Sequence, residues 1–193
     1  SLQLRKIPSY YVHGKASSHK NFHELVEAYE SIKEKYEYSI AWIDAIKKGK
    51  GLGRGEINYA NFLEDGDYTI RDHRIPKKIF GLIPNDLVPY LAKLFLNTQT
   101  MRVVNFLQAH AGNMSSDVQT DKVSLSKYHY LMDMKFPKYN FFFRHGFFLH
   151  QSILPTENTI DGFQELLKIT HKYGFYSVMA ALKVYREQNE NFL

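Results

Sequence analysis

Asn21-Phe22-His23-Glu24-Leu25-Val26-Glu27-Ala28-Tyr29-Glu30-Ser31-Ile32-Lys33-Glu34-Lys35-Tyr36-Glu37-Tyr38-Ser39-Ile40-Ala41-Trp42-Ile43-Asp44-Ala45 is the stretch that decides the fold. Asn21 can cap a helix, with Glu24 three residues on as in a capping box. Phe22, Leu25, Val26, Tyr29 and Ile32 then fall at helical spacing and form one apolar stripe among Glu and Lys. Burying each such side chain stabilises by about 1.5–3 kcal/mol at most, so the stripe must find a sheet. Tyr36–Ala45 reads as the strand that follows the helix. Segment 7–17 reads as the strand before it, and residues 55–63 as a third strand. Between them, Lys47-Lys48-Gly49-Lys50-Gly51-Leu52-Gly53-Arg54-Gly55 invites a phosphate-loop reading. A dinucleotide fingerprint needs a helix after its glycines, and a Walker loop needs Gly-Lys followed by Ser or Thr. Neither condition is met, so this stretch is read as a hairpin connection.

The middle of the chain is less regular. Residues 64–80 are charged and read as a surface excursion. Pro84-Asn85-Asp86 opens a helical region with Leu87, Leu91, Leu94 and Phe95. An apolar run, Met101 to Leu107, follows, and Gly112–Lys127 reads as a polar loop. From Tyr128 the earlier plan returns. Phe147–Leu154 reads as a strand, and Ile160, Phe163, Leu167 and Thr170 as a helix face. Gly174 is suited to the left-handed residue after that helix, and Phe175–Tyr185 as the returning strand. Lys35-Tyr36-Glu37-Tyr38-Ser39-Ile40 echoes Lys172-Tyr173-Gly174-Phe175-Tyr176-Ser177-Val178. The expected fold is α+β: a mainly antiparallel sheet with helices on one face, from two ferredoxin-like strand–helix–strand units. The expected division is 1–63 as the first unit, 64–127 as the excursion and 128–193 as the second unit.

Composition narrows the chemistry. The 193 residues contain no cysteine, which removes disulfides, thiolate metal sites and a cysteine nucleophile. The 14 Tyr and 14 Phe suit a strand-dense fold or a ring-lined pocket. The net charge of +5 favours anionic partners, but its basic residues are scattered, and no nucleic-acid reader motif accompanies them. No apolar stretch approaches the roughly 18–20 residues of a membrane span, and no secretory signal is read. A cytoplasmic location, or one peripheral to a membrane, is expected. His19 and His23 lie four apart, without the third ligand a metal site needs; His145 and His150 would point to opposite faces of a strand.

Trp42, Tyr128, Gln151 and Lys183 stand where a sheet could present them to a ligand. Lys183 interrupts the apolar run Val178-Met179-Ala180-Ala181-Leu182-Lys183-Val184-Tyr185. A buried ammonium is costly unless paired, so Lys183 faces either solvent or an anionic group. Trp42 belongs either to the core or to a pocket wall.

Four segments in order resemble the decaprenylphosphoryl-ribose oxidases, of the vanillyl-alcohol-oxidase-like flavoenzymes. They are Tyr38–Asp44 with Gly51–Gly55, Tyr128–Asp133, Gly146–Glu157 and Tyr176–Tyr185. The similarity runs from about residue 5 to residue 186. The resemblance implies the substrate-binding domain of an FAD-dependent oxidoreductase, with the FAD-binding domain elsewhere in the same protein. In that family the flavin takes a hydride from a secondary alcohol of a sugar or polyprenyl-phosphate sugar. By position, Lys183 would be the catalytic pocket lysine, Tyr128 and Trp42 would line the pocket, and Gln151 would reach flavin and substrate. Tyr185 stands where the family commonly has Phe, Leu149 where it has a first Gln, His150 where it has an aromatic residue and Tyr130 where it has Pro. These departures leave open an aldonolactone or alditol substrate, or a catalytically silent ligand- or partner-binding module. The chain alone is expected neither to bind FAD tightly nor to oxidise a substrate.

Overall fold

A computed structural model describes residues 4, 6–70, 77–79, 82–84, 86–87, 90–91, 97–114, 118–129, 146, 148–177 and 180–185. The sequence folds as α+β, with helices and a five-stranded antiparallel sheet. The strands are β1 (Tyr11–His19), β2 (Tyr38–Ile43), β3 (Gly55–Phe62), β6 (Val118–Ser124) and β7 (Ala180–Leu182), in the order β6-β1-β3-β2-β7. A separate two-stranded ladder pairs β4 (Lys78–Ile79) with β5 (Ile83–Pro84). The helices are α1 (Phe22–Ile32), α2 (Thr98–Met114), α3 (Leu125–His129) and α4 (Thr159–Lys172). Two compact units emerge. One comprises Ser1–Gly14, Asn61–Asn97 and Thr120–Gln151; the other comprises Lys15–Ala60, Thr98–Gln119 and Ser152–Leu193.

The second of these units holds the helix–strand stretch quoted above. Asn21 caps α1 as its chemistry dictates: its Oδ1 accepts from Glu24 N at 2.9 Å, while Glu24 Oε2 accepts from Lys20 N at 3.1 Å. The α1 stripe of Phe22, Leu25, Val26 and Tyr29 is buried against Ala41 and Ile43 of β2 and Ile57 and Tyr59 of β3. Ile160 and Phe163 of α4 pack on the same cluster, and Phe163 stacks on Phe22 with ring centroids 4.4 Å apart. The end of α4 is also locally encoded. Gly174 takes φ +76°, Gly174 N donates to His171 O at 3.2 Å and Phe175 N donates to Thr170 O at 2.9 Å. These two bonds satisfy carbonyls the last turn would leave orphaned.

Residues 49–55 form the hairpin connection, a short 3-10 turn at Gly49–Gly51 leading into β3, with Ile43 opposite Gly55. Two glycines here are dictated by close approach. A Cβ on Gly53 would lie 2.6 Å from Phe22 Cβ, and one on Gly55 would lie 2.1 Å from Trp42 O.

Two expectations are corrected. Phe147–Leu154 reads as a strand in the sequence; its described residues, 148–154, have no regular structure, and Leu149 and Ile153 are 81% and 82% exposed. Among the described residues it has no partner strand, and without a ladder an alternating apolar run is no strand. The supposed loop 112–127 instead contains the end of α2, the strand β6 and the start of α3. Its polar sequence, Val-Gln-Thr-Asp-Lys-Val-Ser, suits an edge position, where charge discourages further pairing. The returning strand is shorter than read, Ala180–Leu182; Val178 and Met179 lie outside the described residues, as do Leu94, Phe95 and Tyr130–Asp133.

The other unit is fastened by a charged loop. Asp65 accepts from Ser9 Oγ at 2.7 Å and Asp67 N at 3.0 Å, and Lys122 Nζ reaches Asp65 at 2.8 Å and Asp67 at 3.0 Å. The Lys122 hydrogen bond first, then the Asp67 and Ser9 donors, hold the Asp65 carboxyl well below the usual carboxylate range. Asp67 is lowered too, chiefly by the Thr69 backbone N–H and then by Lys122. Because the folded values lie below the unfolded ones, these contributions are complete above the ordinary carboxylate pKa of about 4. They are lost as pH falls through the folded values. We expect carboxyl carbon titrations by NMR to find both groups still ionised below that range, and Lys122→Ala to move both upward. Ordinary titration of Asp65 in the intact chain would contradict this.

Candidate functional site

Strand alternation decides which side chains of β2 and β7 are available to a ligand. Ala41 and Ile43 are buried in the core, so Ile40 and Trp42 point the other way. In β7 and just beyond it, Ala180, Leu182 and Val184 pack on the core. Ala181, Lys183 and Tyr185 therefore stand on the opposite side. The register sets Trp42 opposite Ala181 on one flank and Glu56 on the other. Trp42, Lys183 and Tyr185 thus share one sheet face. Lys183 is exposed and Tyr185 is 64% exposed; among the described residues, Lys183 has no ion-pair partner. An ammonium on an open face keeps its charge at little cost, and a ligand that covers it must return the lost hydration as a hydrogen bond or an opposing charge.

Trp42 is half-buried, and beside it lies a cavity of about 120 Å³ also lined by His19, Lys20, Arg54, Glu56 and Ala109. This is well below the roughly 300–1,000 Å³ of a site that encloses a small organic ligand. The space beside Trp42 is therefore too small to enclose such a ligand. Burial pushes the His19 imidazole below its ordinary value, partly opposed by Glu24, and His19 Nε2 lies 3.0 Å from Ser17 Oγ.

The other two candidate residues belong to the other unit. Gln151 is exposed in an irregular segment, and Tyr128 is half-buried in α3, its ring edge-on to His129 at 6.0 Å. Tyr128 was expected to precede a strand; it lies in a helix, and the residues after His129 are outside the described set.

One group escaped the sequence reading. Asp44, immediately after β2, is 1% exposed and gathers five N–H donors. Its Oδ1 accepts from Ile46 N at 3.1 Å, Lys47 N at 3.2 Å and Asn105 Nδ2 at 2.7 Å. Its Oδ2 accepts from Arg54 Nε and Nη2, each at 2.9 Å. Asp44 N donates back to Arg54 O at 2.8 Å. This carboxylate closes the β2–β3 connection two residues after Trp42 and ties α2 to it. An Asp ending an apolar strand, ten residues before an Arg, was the available signal.

No protein-family model and no curated protein sequence matches this chain, so the flavoenzyme resemblance stands on its four segments alone. Among the described residues, no helix is long and apolar enough to cross a membrane.

Proposed function

We propose that this chain is the substrate-binding part of an FAD-dependent oxidoreductase that oxidises a secondary alcohol of a sugar or polyprenyl-phosphate sugar. The observation that carries the reading is the common sheet face of Trp42, Lys183 and Tyr185, with Lys183 exposed. These are three of the residues at which the resemblance assigns roles, and they come from segments far apart in the sequence.

The donor set fits the substrate side of a flavin. An exposed cation and phenol with a half-buried indole on the same sheet face suit a sugar hydroxyl held against a flat ring. The glycine-rich turn 49–55 leads into β3 instead of a helix N-terminus, so it offers no diphosphate cradle of the dinucleotide type. FAD, held by another part of the protein, would supply the hydride acceptor. The chain's own contribution is orientation and electrostatics. Lys183 Nζ would donate to the reacting oxygen and stabilise the negative charge that develops there as the hydroxyl proton passes to a base of the intact protein and the hydride to the flavin. Trp42 walls the sugar, and the Tyr185 hydroxyl adds a donor that selects among substrates.

The visible spectrum of the protein isolated from its native source tests this reading. Flavin absorption in proportion to protein is expected. A colourless protein would overturn it and favour a catalytically silent binding module.

A further inference from the structure

A cavity of about 600 Å³ opens where the start of α1, the Gly49–Gly51 turn and the last two turns of α4 meet. Its charged lining is Lys48, Lys50, Lys168 and Lys172, with His171 and the α1 cap Asn21 beside them, and among the described residues no carboxylate lines it. Cations near the end of α4 are explained in part by the partial negative charge of a helix C-terminus. That explanation does not reach Lys48 and Lys50, which come from the turn after β2. Two acids adjoin the lining: Glu24, whose Oε1 accepts from Asn21 Nδ2 at 2.8 Å, and Glu165, 3.7 Å from Lys168 Nζ in a pair whose side chains are both more than 60% exposed, so that salt and water weaken it.

Two of the lining groups are held in place. His171 Nε2 lies 2.7 Å from the Ala45 carbonyl, which accepts only, so this nitrogen carries a proton. Lys48 Nζ stands 5.6 Å over the Tyr176 ring centre. The start of α1 adds no free charge there, because Asn21 Oδ1 caps Glu24 N and the Glu24 carboxylate accepts from Asn21 Nδ2 at 2.8 Å and Lys20 N at 3.1 Å. Four ammoniums around one concavity repel one another, and a compact multivalent anion converts that repulsion into attraction. Lysine meets phosphate oxygens as a mobile point charge, and the volume lies within the range of small-molecule sites.

We propose that this cleft binds a phosphoryl group, carried either by a soluble phosphate compound or by a lipid headgroup. The assignment does not depend on the flavin reading, since none of its residues is assigned a role there. The glycine turn takes part through its lysines, without the loop-to-helix geometry of a nucleotide fingerprint.

The test uses the intact chain with two probes: inorganic pyrophosphate by calorimetric titration, and phosphatidylcholine vesicles containing phosphatidic acid by co-sedimentation. The double variant Lys48→Glu/Lys172→Glu is compared with Lys6→Glu/Lys77→Glu, which changes net charge equally at exposed sites outside the cleft. Saturable binding is expected, weakened about tenfold or more by the cleft reversal and hardly at all by the control. Binding of pyrophosphate assigns a soluble ligand; vesicle binding alone, with the same variant dependence, assigns a headgroup. Absence of binding to both probes, or equal weakening by both double variants, would overturn the proposal. Because all four lysines are exposed, matching urea midpoints are expected for the two double variants.

Discussion

Asp44→Ala is expected to destabilise the chain by about 3–5 kcal/mol, the usual consequence of removing one partner from a buried ion pair. The carboxylate is 1% exposed, and the Arg54 side chain facing it is 15% exposed. Its removal strands a guanidinium, two backbone N–H groups and the Asn105 amide in a space water does not freely enter. Asn105 is already strained in this respect, since its Oδ1 has no donor among the described residues. Asp44→Asn keeps the shape but turns an NH₂ towards existing donors, so it also destabilises. Urea denaturation provides the measurement: a lower midpoint with an unchanged slope reports lost stability. A loss below about 1 kcal/mol would mean that the network is ornamental.

Lys183→Ala is expected to do the opposite, sparing stability and removing activity. The side chain is exposed and makes no ion pair among the described residues, so its loss shifts stability by no more than about 0.5 kcal/mol. In the flavin-containing protein, turnover falls about 10²–10³-fold if Lys183 stabilises charge at the reacting oxygen. Turnover within about threefold of the parent would remove Lys183 from the catalytic set. The contrast between the two variants separates a residue that holds the face together from one that works on it.

The parts of this fold legible in the sequence are those fixed by neighbours a few residues away. The Asn21–Glu24 box, the α1 stripe and the Gly174 terminus each close hydrogen bonds within one or two turns, and each forms as read. Strands depend on partners distant in sequence. Residues 148–154 have the composition of a strand and no ladder among the described residues, whereas the polar β6 gains one by lying beside β1. The same limit governs the sites. Alternation in β2 and β7 could be read locally, and it turns Trp42 and Lys183 to one face. The basic cleft could not, because half its charge follows β2 and half closes α4. Reading 49–55 as a connector was correct for the backbone and silent about the lysines it carries.

We propose that the Trp42–Lys183 face presents a sugar alcohol to a flavin. The most direct measurement is the visible spectrum of the natively isolated protein, recorded anaerobically before and after addition of a polyprenylphosphoryl sugar. Flavin bands that bleach on addition are expected, with bleaching slowed in the Lys183→Ala protein. Flavin bands left unchanged by that sugar and bleached by an alditol or aldonolactone would contradict the substrate assignment, and absence of flavin would contradict the claim itself.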